Sequence, residues 1–483
     1  MFILRSRVLF EKAEILFLLS AALGCLVTLF TVVLAVPLHY ELFFDEGLLL
    51  GVGARVAHGL PMYPPATEFP YVINPYGPLP YYLAGLCVKL FGVSFTAPRI
   101  LAVVSGIWCA ALIALLVRQW GGAPHVSLGF GLLFLSRPVV MTWFPQFRVD
   151  LIGLAFSLTG LYLFTRSRNW YLAVPFLVAA LFCKFTFLAA PLACFLYALF
   201  RREGGKALRF ATCNLALGAL AFQWAQRETG GWFAFDTIWI NAAQHYNLAA
   251  AISMLHNEIR ADYFLVALAM ALLYWVRSCP DLSLPLIYLG ISFLTSLAVG
   301  KVGASSHYLL ESQAVLCWCA GVAYSYLRTH SDLRSFVSTL MPAALAAMVV
   351  FNLHKPTPDP MKVLSECGQA HEYVKDYPGG RILSENPGAV VMAGKSSQVF
   401  EPYLWTRGVV DQGWPDTKIV DLLRSRQIDL VVLGSDVRDL TRQTSQYFWP
   451  NSVGEAIEQH YQLVHTFDCD QANFVYRPET PPK

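Results

Sequence analysis

The sequence predicts a polytopic α-helical membrane protein of about eleven spans, ending in a small C-terminal α/β domain on the extracytoplasmic side. Three observations carry that expectation. Hydrophobic residues make up 56% of the 483 residues and charged residues only 14%, whereas a soluble domain carries about a quarter charged. Stretches long and apolar enough to cross a bilayer recur as far as residue 353. Beyond 353 the apolar runs shorten to strand length and polar residues return. The net charge of +3 comes without a basic block, which argues against nucleic acid as a partner.

The first span, 15–38, carries no charged residue, and its length matches the ~20 residues a helix needs to cross the hydrocarbon. It exceeds the ~7–15 residues of a signal-peptide core and lacks a small-residue cleavage site, so it reads as a retained signal-anchor helix. Further spans are expected at 100–117, 125–141, 151–165, 170–183, 185–200, 210–226, 264–276, 282–299, 308–327 and 336–353. Their orientation follows from charge. With Arg5, Arg7 and Lys12 cytoplasmic, the short loops on that side carry Arg118, Arg166, Arg201, Arg202, Arg277 and Arg328, as the positive-inside pattern requires. An odd number of spans then places the C-terminal part outside.

Four outward regions are more than simple turns. The first, 39–99, contains a helical pattern over 45–58, a turn at Gly59-Leu60-Pro61, a Pro/Tyr-rich stretch and a short apolar helix over 79–91. Loops this long are usually functional. The others are the crossing 143–150, an aromatic, amphipathic segment over 227–262 that reads as interfacial, and the loop 301–308. The division expected is a membrane part, 1–353, including the loop 39–99, and an outer domain, 354–483. That domain shows no phosphate loop, zinc-ligand spacing or internal repeat. Its two cysteines, Cys367 and Cys469, are able to pair in an oxidising compartment, although spacing alone does not decide it.

Adjacent carboxylates at Asp45-Glu46 are the sharpest chemical feature. Acids at a membrane surface are costly unless solvated, paired or functional. They read either as a pair favouring the helix N-terminus or as a general base held at a cavity wall. Cations on the same side (Arg55, Lys89, Arg99, Lys301) suit either lipid headgroups or a substrate phosphate. Arg148 and Asp150 suit either an ion pair at a helix start or substrate contact. Lys184 reads as the cap of a tight turn, and Arg137 as a charge facing protein or water rather than lipid.

In order along the chain, Asp45-Glu46, Gly59-Leu60-Pro61-Met62-Tyr63, Asn74-Pro75-Tyr76-Gly77-Pro78-Leu79-Pro80-Tyr81-Tyr82, Phe91-Gly92 and Pro98-Arg99 resemble the first outer loop of GT-C glycosyltransferases. The likeness is greatest to the protein O-mannosyltransferase and aminoarabinose-transferase superfamily. Phe147-Arg148-Val149-Asp150 resembles that family's second acidic position. Lys301-Val302-Gly303-Ala304-Ser305, with His307-Tyr308 and Glu311, is similar to a recurrent motif of its bacterial members. The resemblance covers about 14–353. It implies a glycosyltransferase that takes a sugar from a polyprenyl-phosphate or diphosphate carrier on the outer face and passes it to a protein, lipid or glycan acceptor. It implies Asp45, with Glu46 beside it, as the catalytic acids. Arg55, Tyr81, Arg148, Asp150, Lys301, His307 and Glu311 are expected to bind substrate, with Lys301 the first choice for the carrier phosphate. No metal ligand is assigned, and dependence on a divalent ion stays open. The competing class is a transporter of lipid-linked saccharides, which would place its binding groups near the bilayer midplane.

Overall fold

The computed structural model describes residues 2–166, 169–330, 334–353, 360–442, 448–469 and 474–479. Each expected span falls on a helix. Among the described residues four helices are long and apolar enough to cross a membrane: Lys12–Ala35, Thr96–Gln119, Val149–Arg166 and Pro280–Gly300. Shorter apolar helices occupy Pro124–Leu135, Trp170–Leu181, Ala189–Phe200, Tyr263–Trp275 and Thr339–Leu353. Gly204–Glu228 and Leu310–His330 cover the two remaining spans. The chain is a multi-pass membrane protein.

The first half of the chain folds into the helices α1 (Phe2–Ala35), α2 (Phe44–Ala57), α3 (Pro78–Phe91), α4 (Thr96–Gln119), α5 (Pro124–Leu135), α6 (Pro138–Trp143), α7 (Val149–Arg166), α8 (Val174–Leu181) and α9 (Ala189–Phe200). The span expected at 125–141 is not continuous. It breaks at Ser136-Arg137, because Pro138 starts a new helix and disfavours helical backbone in the residue before it. Arg137, freed by that break, is buried and paired with Asp262, and its Nε donates to Gln313 Oε1 at 3.1 Å. It faces protein, as expected of a charge at membrane depth.

The first outer loop folds as α2, a Pro/Tyr-rich connection and α3. The two helices pack closely: a Cβ at Gly53 would run into the Cβ of Ala84. The segment expected to be interfacial, 227–262, has a mixed character. Trp239 and Tyr246 are exposed, but Phe233 is fully buried and Asp236 turns inward to accept from the Asn74 backbone N–H at 2.9 Å. Asn241 Nδ2 likewise donates to the Pro75 carbonyl at 2.9 Å. This segment therefore props the Asn74-Pro75-Tyr76 stretch from behind.

Toward the C-terminus stands a five-stranded mixed sheet in the order β2-β1-β3-β5-β4. Here β1 is Arg381–Ser384, β2 Ser396–Ser397, β3 Leu430–Leu433, β4 Tyr461–Thr466 and β5 Phe474–Pro478. β1 pairs parallel with β2 and β3, and β5 pairs antiparallel with β3 and β4. The uninterrupted apolar run of β3 is buried along its whole length, as a strand covered on both faces requires. Cys367 and Cys469 form a disulfide. The start expected for this domain falls among residues 354–359, outside the described residues.

Backbone bonds fasten the C-terminal sheet domain to the first loop. Tyr71 N donates to Gln398 O at 3.0 Å and Phe400 N donates to Tyr71 O at 2.9 Å. The Trp405 ring stacks on Tyr71 with centroids 5.2 Å apart. Glu41 accepts from Gly388 N at 3.0 Å. These contacts hold the residues on either side of β2 against the segments that flank α2.

Candidate active site

The first turn of α2 carries both acids, and the helix sends them to different places. Glu46 is fully buried. Arg99 of α4 grips it with two hydrogen bonds, Nε to Oε1 at 2.9 Å and Nη2 to Oε2 at 2.7 Å. The backbone N–H groups of Phe147 and Leu42 add one bond to each oxygen, both at 2.7 Å. Arg99 also donates to the carbonyls of Ala35, Leu38 and Tyr40. A bidentate carboxylate with four donors is satisfied, so Glu46 holds α1, α2, α4 and the start of α7 together. This corrects the sequence expectation that Glu46 shares the chemistry and that Arg99 is free for phosphate.

Asp45 turns toward a cleft. Its Oδ2 accepts from the Tyr76 hydroxyl at 2.9 Å and lies 2.5 Å from Arg148 Nη1. Its Oδ1 has no hydrogen-bond partner among the described residues, and the residue lines a small cleft of about 60 Å³. Burial and the Asp45 charge push the Tyr76 phenol well above its ordinary pKa, which keeps it a donor.

Arg148 sits at the centre of the cluster. It bridges Asp45 to Asp150, whose Oδ2 is 3.3 Å from its Nε, and its guanidinium lies over the rings of Trp143 (4.8 Å) and Phe43 (5.3 Å). Lys184, in the turn between α8 and α9, reaches Asp150 Oδ1 at 2.8 Å and the face of Tyr308 at 3.7 Å. Two acids and two cations are thus buried together and balanced. A buried charge is tolerable only when paired in this way.

His307 abuts the cluster, its Nε2 3.3 Å from Arg148 Nη2. Arginine only donates, so Nε2 accepts and the imidazole carries its proton on Nδ1. Burial, then the Arg148 charge, hold the His307 pKa well below its ordinary value, so the ring stays neutral. Glu311 lies deeper, accepting from Tyr288 at 2.8 Å and Ser157 at 3.4 Å. Lys301 is half-buried, with Nζ held by the Asn241 carbonyl at 3.3 Å. Burial and the Lys184 charge lower its pKa. Among the described residues it has no carboxylate partner, which leaves its charge available to a ligand.

Two expected binding residues are elsewhere. Arg55 stands at the far end of α2, about 15 Å from Asp45 at ~1.5 Å per residue, and donates to the Pro61 carbonyl. Tyr81 is fully buried, edge-on to Tyr63 at 6.1 Å, and does not line the cleft. The aromatic residue at the cleft is Tyr76. Sequence reasoning also missed Lys184, which points inward instead of capping a surface turn. Its setting, a lone lysine among apolar residues between two spans, was the available signal. The outer domain's contribution, Glu401 and Tyr403, had none.

Residues 74–225 match the dolichyl-phosphate-mannose-protein mannosyltransferase family. No curated protein matches the chain. Among solved structures, the chain is similar to apo ArnT from Cupriavidus metallidurans, with a TM-score of 0.61 at 12% identity over 94% of this chain and 97% of that one. The fold is that of the GT-C glycosyltransferases. The same ArnT bound to undecaprenyl phosphate matches at a TM-score of 0.53 and 15% identity, over 89% of this chain and 84% of that one. The apo oligosaccharyltransferase of Archaeoglobus fulgidus matches at 0.56 and 11% identity, over 96% and 74%. The GT-C likeness read from the first outer loop is borne out at the level of fold.

The oligosaccharyltransferase of Archaeoglobus fulgidus has also been solved with zinc and sulfate. No group of three or more His, Cys, Asp or Glu suited to a metal occurs among the described residues. Asp45 and Asp150 already face Arg148 and Lys184. The donor set does not fit a divalent ion, and no step is derived through one.

Proposed function

We propose that this GT-C-fold protein is a glycosyltransferase that moves a sugar from a polyprenyl-phosphate carrier to an acceptor on the extracytoplasmic face, with Asp45 as general base. The observation that carries the reading is the state of Asp45. One oxygen is fixed by Tyr76 and Arg148, and the other faces a cleft unpartnered. The mannosyltransferase-family match over 74–225 and the fold shared with ArnT support the same class.

In this reading the acceptor nucleophile gives its proton to Asp45 Oδ1 as it attacks the anomeric carbon. The bond from that carbon to the phosphate oxygen breaks, and the electron pair leaves with the phosphate. Attack from the face opposite the leaving group inverts the anomeric centre. Lys301, which has no carboxylate partner among the described residues, stabilises the charge growing on the carrier. Arg148 and Asp150 position Asp45, and Lys184 closes the network. The N-terminus is then cytoplasmic and the sheet domain outside, following the positive-inside pattern.

Asp45→Asn is expected to abolish transfer from a radiolabelled polyprenyl-phosphate sugar to membrane acceptors while membrane insertion holds. A variant that transfers at the wild-type rate would overturn the assignment. Movement of labelled carrier across a vesicle bilayer without any transfer would favour the transporter class instead.

A further inference from the structure

The cleft wall facing Asp45 is built partly by the outer domain. Glu401 is the N-cap of the helix Pro402–Gln412, where its Oε2 accepts from Leu404 N at 2.6 Å. The residue is only 4% exposed and lines the same cleft as Asp45. Its Oε1 has no hydrogen-bond partner among the described residues. A helix cap uses one oxygen, and Asp, Asn, Ser or Thr supply it from a shorter side chain. The longer glutamate brings to the cleft wall a second oxygen, without a hydrogen-bond partner among the described residues, that is able to accept from or donate to a ligand hydroxyl.

Its surroundings suit a particular kind of ligand. Asn241 and Gln244 bring carboxamides to the cleft, and Gln244 Nε2 donates to Asn241 Oδ1 at 3.2 Å. Tyr76 and Tyr403 add aromatic side chains to the lining. Carboxyl and carboxamide groups offer both donors and acceptors, and aromatic rings give a flat apolar surface. Together they match a hydroxyl-bearing ring better than a phosphate. The wall is also fixed in place: Tyr403 Oη donates to the Val302 carbonyl at 3.2 Å, inside the Lys301-to-Ser305 loop.

We propose that the outer domain completes a saccharide subsite, in which Glu401 hydrogen-bonds hydroxyl groups of a sugar ring held beside Asp45. This rests on the glycosyl-transfer reading above. The ring belongs either to the donor or to a glycan acceptor, and the two sources are separable.

The test uses the purified full-length protein in lipid nanodiscs, without acceptor, titrated by tryptophan fluorescence. The probes are bare polyprenyl phosphate and the same carrier bearing mannose, glucose, galactose or arabinose. Glu401→Asp keeps the cap but withdraws the carboxyl from the cleft, whereas Glu401→Gln keeps the reach. For a donor subsite, at least one sugar-bearing carrier binds about tenfold more tightly than the bare carrier, the worth of a well-made hydrogen bond or two. Glu401→Asp then loses that preference and Glu401→Gln retains it, with bare-carrier affinity unchanged in both. For an acceptor subsite, donor preference survives in Glu401→Asp while the acceptor KM in a transfer assay rises about tenfold. Gln244→Ala, which disturbs no cap, should move the same quantity in the same direction. If Glu401→Asp and Gln244→Ala both match wild type in donor preference and acceptor KM, Glu401 is a helix cap only and the proposal fails. That outcome leaves the glycosyl-transfer reading standing, since only a wild-type protein that transfers no sugar would remove it.

Discussion

At one end of the helical bundle Glu14 of α1 is buried among donors. Tyr324 Oη and Arg328 Nε reach its Oε1 at 2.6 and 2.8 Å, and His125 Nε2 reaches its Oε2 at 2.6 Å. At the other end Asp45 is buried beside Tyr76 and Arg148, but both approach the same oxygen. The clusters share composition: a carboxylate, a phenol, an arginine and a nearby histidine. They differ in closure. Glu14 has both oxygens occupied and ties α1 to α5 and to the helix Leu310–His330, whereas Asp45 keeps one oxygen toward a cleft. A buried charged cluster is therefore weak evidence for a site by itself, and the unpartnered atom at an opening is the informative feature. Glu46 makes the same point one residue from Asp45, since its four donors close it completely.

The largest effect that could break this contrast belongs to Asp45. Asp45→Asn is expected to lower transfer by about 10²–10⁴-fold, the usual worth of a general base, in protein that still folds because Arg148 keeps Asp150 as a partner. Loss of folding in place of loss of turnover would put Asp45 in the class of Glu14. Glu46→Gln is expected to act the other way. Breaking a buried pair leaves Arg99 uncompensated and costs about 3–5 kcal/mol, visible as a lower melting temperature and yield, while the remaining folded protein retains turnover. Glu14→Gln should resemble Glu46→Gln, with reduced thermal stability and an unaltered KM for the carrier. Lys301→Ala should raise the KM for the carrier by about tenfold, the scale of one lost charge-assisted contact, and steady-state kinetics would show it.

The smallest effect is a pH dependence at Glu401. Burial, and then the Asp45 charge, push its pKa up to about 8 from 4.5, against the Leu404 N–H, which lowers it. The folded protein thus keeps a proton that the unfolded chain releases across this window. Stability falls as pH rises from about 4.5 to about 8, because the native state binds more protons there than the unfolded state. Melting curves of wild type against Glu401→Gln, which cannot ionise, should diverge in that direction as pH increases. Parallel curves would show that Glu401 is solvated in the folded protein.

Much of the first outer loop was legible beforehand. The helix expected over 45–58 is Phe44–Ala57, and the one over 79–91 is Pro78–Phe91, because Pro and Gly punctuate both. The break of the span at 125–141 was available in Pro138. The roles within the acidic pair were not legible, since neighbours on a helix point about 100° apart and sequence does not say which direction meets Arg99. Arg55 looked useful because it shares a helix and a side of the membrane with Asp45, yet ten residues of helical rise separate them. Lys184 looked superficial because a lysine between short spans ordinarily snorkels; it is drawn inward by Asp150, 34 residues away in sequence.

The sequence by itself determined the class of molecule. Its apolar runs, its sparse charge and the change in composition after residue 353 suffice for a multi-pass bundle with a sheet-bearing C-terminal part. They act through hydrophobic transfer and local backbone preference, which need only neighbouring residues. It also determined that Asp45 is a residue to examine. The tertiary structure decided that Asp45 is open and Glu46 closed, that Arg148 and Lys184 serve the same pair of acids, and that Glu401 stands in the same cleft, 356 positions later in the chain. Those outcomes depend on which distant groups supply the hydrogen bonds of a buried charge, and only the packing of the helices and the outer domain fixes that.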